Sequence, residues 1–230
     1  MGDLHGRLIA FDLDGTVVDS RRDLADSANE LIAELGGRAL DEDAIGRMVG
    51  EGARMLVERA LRASGLEHEA QGAELAGSLA RFLQIYDERL LRTTLPYPGI
   101  VDAINHARGY ARVAILTNKP TRHTEAVLEG LGLRGLFEDV IGGDGPWPRK
   151  PDPASMIELM GRALAPPGRT LLVGDSAVDH ETALRAGVPC CLATYGFGYA
   201  TFPSDRLRSV EWKVSEPAEL LAIFDKFTGV

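Results

Sequence analysis

Two aspartates one residue apart, Asp12 and Asp14, close the apolar run Leu8-Ile9-Ala10-Phe11 and are followed at once by Gly15-Thr16. A buried strand ending on paired acids costs stability. Carboxylates resist burial unless a cation or a set of hydrogen bonds compensates. Alternate residues of an extended chain point the same way, so the two carboxylates share a face. One can act as nucleophile while the other handles a proton, provided a metal ion screens their repulsion. An Asp-Gly turn after a core strand is the alternative that this stretch alone leaves open.

Three further apolar segments stop on polar residues. Leu116 is followed by Thr117-Asn118, and Leu171–Val173 by Gly174-Asp175-Ser176, with Asp179 one helical turn on. Lys150 lies in the stiff turn Arg149-Lys150-Pro151-Asp152-Pro153. Taken singly, Asp175 and Asp179 also suit helix caps, Thr117-Asn118 a turn, and Lys150 a solvated surface. Taken together they supply carboxylates for a hard cation, hydroxyl and amide groups, and one cation for anionic oxygens.

The elements that must position them read as an α/β fold. Short, straight apolar runs at Leu8–Phe11, Val113–Leu116, Val140–Ile141, Leu171–Val173 and Cys190–Ala193 suit strands covered on both faces. Helical patterns near 121–131, 153–164 and 178–186 fall between them, which predicts a doubly wound parallel sheet. In such sheets ligands bind beyond the carboxyl ends of the strands, where these acids converge. Residues 16–92 break the rhythm with an all-helical pattern. Leu24, Ala28, Leu31, Ile32 and Leu35 make one apolar face closed by Gly36-Gly37, a second helix holds Met55–Ala60, and a third runs from Leu79 to Leu91. The chain thus divides into an α/β core, residues 1–15 and 93–230, and a helical insertion, 16–92. A last helix is expected over 216–227.

Bulk properties fit this reading. The chain has 230 residues, 45% hydrophobic and 26% charged, enough for one core with an insertion. A net charge of -9 without long single-sign runs argues against nucleic-acid or anionic-membrane surfaces. A small anionic substrate is still compatible, because a metal and a few donors can reverse the field inside a pocket. The adjacent Cys190 and Cys191 point to opposite faces of a strand and suit a reducing compartment. No signal pattern opens the chain and no apolar run approaches membrane-spanning length, so a cytoplasmic location is expected. His5, His106, His123 and His180 lack paired metal spacing and are expected at the surface. Trp147 suits a loop aromatic packed on the core or a contact over the pocket.

On these motifs the chain resembles the haloacid dehalogenase superfamily, and more narrowly its bacterial phosphoglycolate phosphatases. The four motifs stand as Asp12-Leu13-Asp14-Gly15-Thr16, Ile115-Leu116-Thr117-Asn118, Lys150, and Gly174-Asp175-Ser176-Ala177-Val178-Asp179. The insertion matches the place of the superfamily's type-1 cap, which implies a lid. Gly50 and Gly52 fit either a loop reaching toward the site or a helix–helix turn.

The resemblance also implies a mechanism. Asp12 attacks phosphorus and forms an aspartyl-phosphate. Asp14 protonates the leaving alkoxide and then deprotonates water. Mg²⁺ sits among Asp12, the carbonyl of Asp14, and Asp175. Thr117 and Lys150 bind the transferring oxygens, helped by backbone N–H groups near Leu13 and Asn118. Asp179 either meets the metal or holds Lys150, with Ser176 in support. Ser20 and Asp19 sit where the chain leaves the core and are expected as hinge or cap residues without chemistry.

An acid at position 14 sets the chain apart from true dehalogenases, which lack one there. The absence of any lysine before Lys119 sets it apart from phosphonate hydrolases, which use a cap lysine. The expected function is a Mg²⁺-dependent phosphatase for a small organic phosphate, 2-phosphoglycolate first. A sugar phosphate, nucleotide or pyrophosphate is the alternative substrate, and a phosphomutase or a non-catalytic binding protein the more distant reading. The protein is expected to act as a monomer or homodimer.

Overall fold

A computed structural model describes residues 6–229; the expected surface residue His5 lies outside them. The first strand, β1 (Leu8–Phe11), is buried on every residue. Period-two alternation sends Ile9 and Phe11 into one apolar core and Leu8 and Ala10 into another. That double burial explains why the strand reads as a continuous apolar run.

After β1 come β2 (Val18–Asp19) and four helices: α1 (Arg21–Glu34), α2 (Glu42–Gly46), α3 (Ala53–Ala63) and α4 (Gly72–Arg89). The chain returns through β3 (Leu95–Pro96), which pairs antiparallel with β2. The remaining elements are α5 (Ile100–Ala107), β4 (Arg112–Leu116), α6 (Thr121–Gly130), β5 (Asp139–Ile141), α7 (Ala154–Ala163), β6 (Thr170–Gly174), α8 (Ala177–Ala186), β7 (Cys190–Ala193), β8 (Trp212–Val214) and α9 (Leu220–Thr228).

Six strands form one parallel sheet in the order β5-β4-β1-β6-β7-β8. The chain first winds outward from β1 through β4 to β5, then crosses to β6 on the other side. The switch point therefore lies at β1. Register aligns the strand ends there: Phe11 pairs with Ile115 on one side and Val173 on the other. The residues just beyond, Asp12, Thr117 and Asp175, consequently gather along one edge. Ile100, Ile104 and Phe224 from α5 and α9 pack on one face of the sheet, and Met156, Leu159 and Ala183 from α7 and α8 on the other.

Three details differ from the sequence reading. Leu35 stands 38% exposed because α1 ends at Glu34, before the expected apolar face is complete. Leu91 is 41% exposed, beyond the end of α4, which begins earlier than expected at Gly72. Two glycines, Gly72 and Gly77, had diluted the helical signal at its start. The short α2, α5 and β8 carried too little periodicity to be read.

One acid fastens the helical segment where it leaves and returns. Asp23, in the first turn of α1, accepts hydrogen bonds from the amide and hydroxyl groups of both Thr93 and Thr94, at 2.7–3.0 Å. Burial opposes its charge, but the donors of Thr93 and then Thr94 outweigh it and hold the carboxyl below its ordinary value. Replacing Asp23 by Ala strands the buried donors of Thr94, while those of the exposed Thr93 turn to water, and is expected to cost about 2 kcal/mol, read as a lower urea midpoint at unchanged slope. A depressed pKa means the native state binds fewer protons, so this contribution is full above the ordinary Asp range near pH ~4 and fades as pH falls below it. The stability gap between wild type and Asp23→Ala should therefore narrow on acidification.

Candidate active site

The β1 end supplies the first pair. Leu13 turns into the core between Asp12 and Asp14, so alternation leaves both acids at the sheet edge. Gly15 then turns at φ +88°, and a Cβ there would lie 2.0 Å from Oδ2 of Asp175. Only glycine lets β1 and the β6 loop approach so closely.

Asp12 and Asp14 sit in different surroundings. Asp12 is buried, and its Oδ1 lies 3.0 Å from Nζ of Lys150 but at an angle that leaves this oxygen without a hydrogen bond. Burial pushes the Asp12 carboxyl up to about 6; Lys150 pulls against that, while Asp179 and Asp14 add to it. The Asp14 carboxylate instead accepts the Ser20 hydroxyl at 2.6 Å and the Lys119 ammonium at 3.1 and 3.2 Å.

Lys150 is buried although its immediate neighbours in the turn are not, which excludes the solvated-surface alternative. Its ammonium lies 2.5 Å from Oδ1 of Asp179. Burial opposes this charge, but Asp12 and Asp179 overcome it and hold the lysine pKa above its ordinary value. Asp179 also accepts from the amide and hydroxyl of Ser176, at 3.1 and 2.6 Å, closing a capping box on α8. Asp179 thus combines a helix-cap role with a hold on Lys150. Asp175 accepts from the Gly198 amide at 2.8 Å. Burial, with Asp179 and Asp12 nearby, holds its carboxyl well above the ordinary range.

The β4 end brings Thr117, buried, whose hydroxyl accepts from the Lys119 amide at 3.2 Å. Asn118 donates through its side-chain amide to the carbonyls of Gly50 and Lys150, both at 2.9 Å. Its side chain therefore ties the helical segment to the lysine turn rather than reaching into the site. Gly50 and Gly52 take φ of +115° and +90° in the loop that meets this edge, and Gly52 immediately precedes α3. The loop joins α2 to α3, and the Gly50 carbonyl meets Asn118.

The carboxylates of Asp12, Asp175 and Asp179 bring oxygens within 4.8 Å of one another. Three buried acids against one lysine leave excess negative charge, and Asp12 Oδ1 has no hydrogen bond. This donor set, all hard oxygen, fits a divalent cation such as Mg²⁺. Asp179 is already committed to Lys150 and Ser176, so Asp12 and Asp175 are the carboxylates free to hold one. The Asp14 carboxylate points to Ser20 and Lys119, which leaves its main-chain carbonyl for that purpose.

Comparison with known proteins gives the family. The haloacid dehalogenase-like hydrolase model matches residues 7–187, which include all four motifs. The chain belongs to the haloacid dehalogenase-like hydrolases. Phosphoglycolate phosphatase of Rhodospirillum rubrum is 43% identical over 228 residues, covering 97% of this chain and 89% of that protein. Phosphoglycolate phosphatase of Mesorhizobium japonicum is 36% identical, covering 96% and 92%. The crystal structure of a predicted phosphoglycolate phosphatase from Haemophilus somnus superposes with a TM-score of 0.87 at 31% identity, covering 95% and 97%.

Around these acids, Lys119 and Tyr86 were not singled out from the sequence, and Ser20 and His123 were given other places. Ser20 touches Asp14. Lys119 reaches both Asp14 and, at 2.6 Å, the Tyr86 hydroxyl. His123 is buried on α6 and stacks on Tyr86 with ring centroids 5.6 Å apart, which corrects its expected surface placement. His180 is likewise buried, edge-on to Phe202, and His106 is half-buried against Asp225 at 2.6 Å. Histidines without metal spacing were expected to be solvated, yet an imidazole ring packs well on aromatic rings. The signal for Lys119 was available: the alternation that pairs Asp12 with Asp14 also pairs Thr117 with Lys119. Trp147 packs on the second core, with the Arg162 guanidinium 5.3 Å from its ring centroid. Both cysteines are buried free thiols. No helix among the described residues is long and apolar enough to cross a membrane.

Proposed function

We propose that this protein is a phosphatase that hydrolyses a small organic phosphomonoester, 2-phosphoglycolate first among them, through a phosphorylated Asp12. The observation that carries the reading is a buried Asp12 whose Oδ1 has no hydrogen bond, beside a lysine and two further acids at the sheet's switch point. The narrower substrate rests on relatives named phosphoglycolate phosphatase that match nearly the whole chain.

In this mechanism an Asp12 oxygen attacks phosphorus in line as the P–O bond to the leaving group breaks. Asp14 gives a proton to the departing alkoxide, then takes one from the water that attacks the acyl phosphate. That second displacement restores the Asp12 carboxylate and releases inorganic phosphate. Lys150 and Thr117 hold the transferring oxygens, and Ser20 keeps Asp14 in position. Mg²⁺ held by Asp12, the Asp14 carbonyl and Asp175 would offset repulsion between carboxylate and phosphate. The helical segment 16–92 serves as a lid over the core of 1–15 and 93–230. The Asn118 bridge to Gly50 fastens the lid when closed, and the β2–β3 ribbon carries its two crossings.

The test is kcat/KM with Mg²⁺ across a panel of phosphate esters, repeated with chelator. Phosphate release that stops with chelator and returns with Mg²⁺ is expected. A preference for 2-phosphoglycolate of about 100-fold, or ~3 kcal/mol of differential transition-state binding, is expected as well. A flat profile would remove the narrower substrate and leave the phosphatase chemistry.

A further inference from the structure

A second buried cation, Lys119, lines the site on Asp14, and the proposed phosphoryl transfer does not use it. The Lys119 side chain is only 3% exposed. Its ammonium donates to Asp14 and to the Tyr86 hydroxyl and lies 4.6 Å from the Tyr86 ring centroid. Next to it stands His123, which is more than nine-tenths buried and has no hydrogen bond at either ring nitrogen. Its Nε2 does come within 3.0 Å of the Asp87 carboxylate. Burial keeps this ring neutral with Nε2–H turned to Asp87, so an anion arriving at the unpartnered Nδ1 is bound with uptake of one proton there.

Lys119 and His123 line one cavity together with Asp12, Asp14 and Thr117. Its remaining walls are largely apolar, with Leu56, Phe82 and Leu83 contributed by α3 and α4. The cavity therefore has a phosphoryl end at the strand edge and a second end where a cation and an imidazole meet the helical segment. Its volume is about 40 Å³, room for roughly three waters at ~10–15 Å³ each. Phe82, Leu83 and Tyr86 of α4 and Lys119 of the β4 end line the same space.

We infer that Lys119, with His123 beside it, binds a second anionic group of the substrate, a carboxylate close to the phosphoester. The inference rests on the phosphatase reading above and names what selects the substrate. A carboxylate arriving there takes over the ammonium from Asp14 and Tyr86, while Asp14 keeps its bond from Ser20. In a water-excluded pocket a charge-assisted bond of this kind is strong. A neutral substituent cannot replace Asp14 as the partner of Lys119 and forfeits that bond. If Lys119 served only to neutralise Asp14, its removal would slow all phosphate esters alike.

The deciding experiment compares 2-phosphoglycolate with 2-hydroxyethyl phosphate, in which a neutral hydroxymethyl group replaces the carboxylate. With Mg²⁺ and full-length protein, wild type is expected to favour the carboxylate by about 100-fold in kcat/KM. Lys119→Met should cut that ratio by at least ~30-fold, mostly through KM for 2-phosphoglycolate, and His123→Gln by roughly 5-fold. A Lys119→Met protein that keeps the wild-type ratio overturns the inference and leaves the phosphatase reading standing. If that variant does not fold, His123→Gln decides, and an unchanged ratio overturns the subsite. A wild type without preference overturns the substrate assignment and this inference with it.

Discussion

Asp12→Asn is expected to lower kcat by ~10⁴-fold or more while leaving the fold intact. An amide is isosteric with the carboxylate but is a far poorer nucleophile toward phosphorus, so the covalent step is lost rather than slowed. The fold survives because the Asp12 amide donates to Val173 O at 2.9 Å whatever the side chain, and Lys150 keeps Asp179 as a partner when the Asp12 charge is removed. The substitution even relieves the apo protein. Burial pushes the Asp12 carboxyl up to about 6, so ionising it near neutral pH works against folding, and Asn carries no such charge. With chelator present at pH 7.5, the variant should therefore melt at or above wild type. Two measurements check this: phosphate release at saturating 2-phosphoglycolate, and a thermal melt of both proteins in chelator. Turnover within tenfold of wild type would remove Asp12 as the nucleophile. A large drop in melting temperature would mean that lost activity reports lost structure.

The fold was legible in the sequence wherever burial on two faces left a continuous apolar run. Leu8–Phe11, Leu171–Val173 and Cys190–Ala193 read as strands because the parallel sheet is covered on both sides. Trp212–Val214 did not, because an edge strand with the exposed Lys213 in its middle carries no such run. At the site, the acids stood out because they interrupt apolar runs, and register then placed them along one edge. What the sequence left dark were contacts between distant segments. The lysine beside Asp14 comes from the β4 end, Ser20 from the start of α1, and the ring on Lys119 from Tyr86 in α4. Each of these is a tertiary juxtaposition with no local periodicity to announce it. The Asp23 clasp on Thr93 and Thr94 is the same kind of case: an acid in the first turn of a helix suggests dipole stabilisation, yet this one joins two ends of a long excursion.

Lys150→Met should both destabilise the protein and remove its activity, because Lys150 is the one side-chain cation among the described residues that touches both Asp12 and Asp179. Those two acids and Asp175 bring oxygens within 4.8 Å of one another, all buried. Deleting one partner of a buried ion pair leaves the other charge uncompensated, at a cost of about 3–5 kcal/mol. Methionine fills similar space, so the loss reports charge rather than a cavity. The expected reading is a lower urea midpoint in chelator at unchanged slope, with kcat/KM down by ~10³-fold or more from the lost grip on the transferring oxygens. Mg²⁺ should restore part of the stability, since a cation at Asp12 and Asp175 offsets some of the same excess charge, but not the activity. A cycle with Asp179→Asn separates the pair from its surroundings. Asp179→Asn removes the carboxylate that Lys150 neutralises, so the double variant should be more stable than the sum of the two single losses predicts. Strict additivity would mean that the 2.5 Å contact carries no coupling and that Lys150 is held by packing alone.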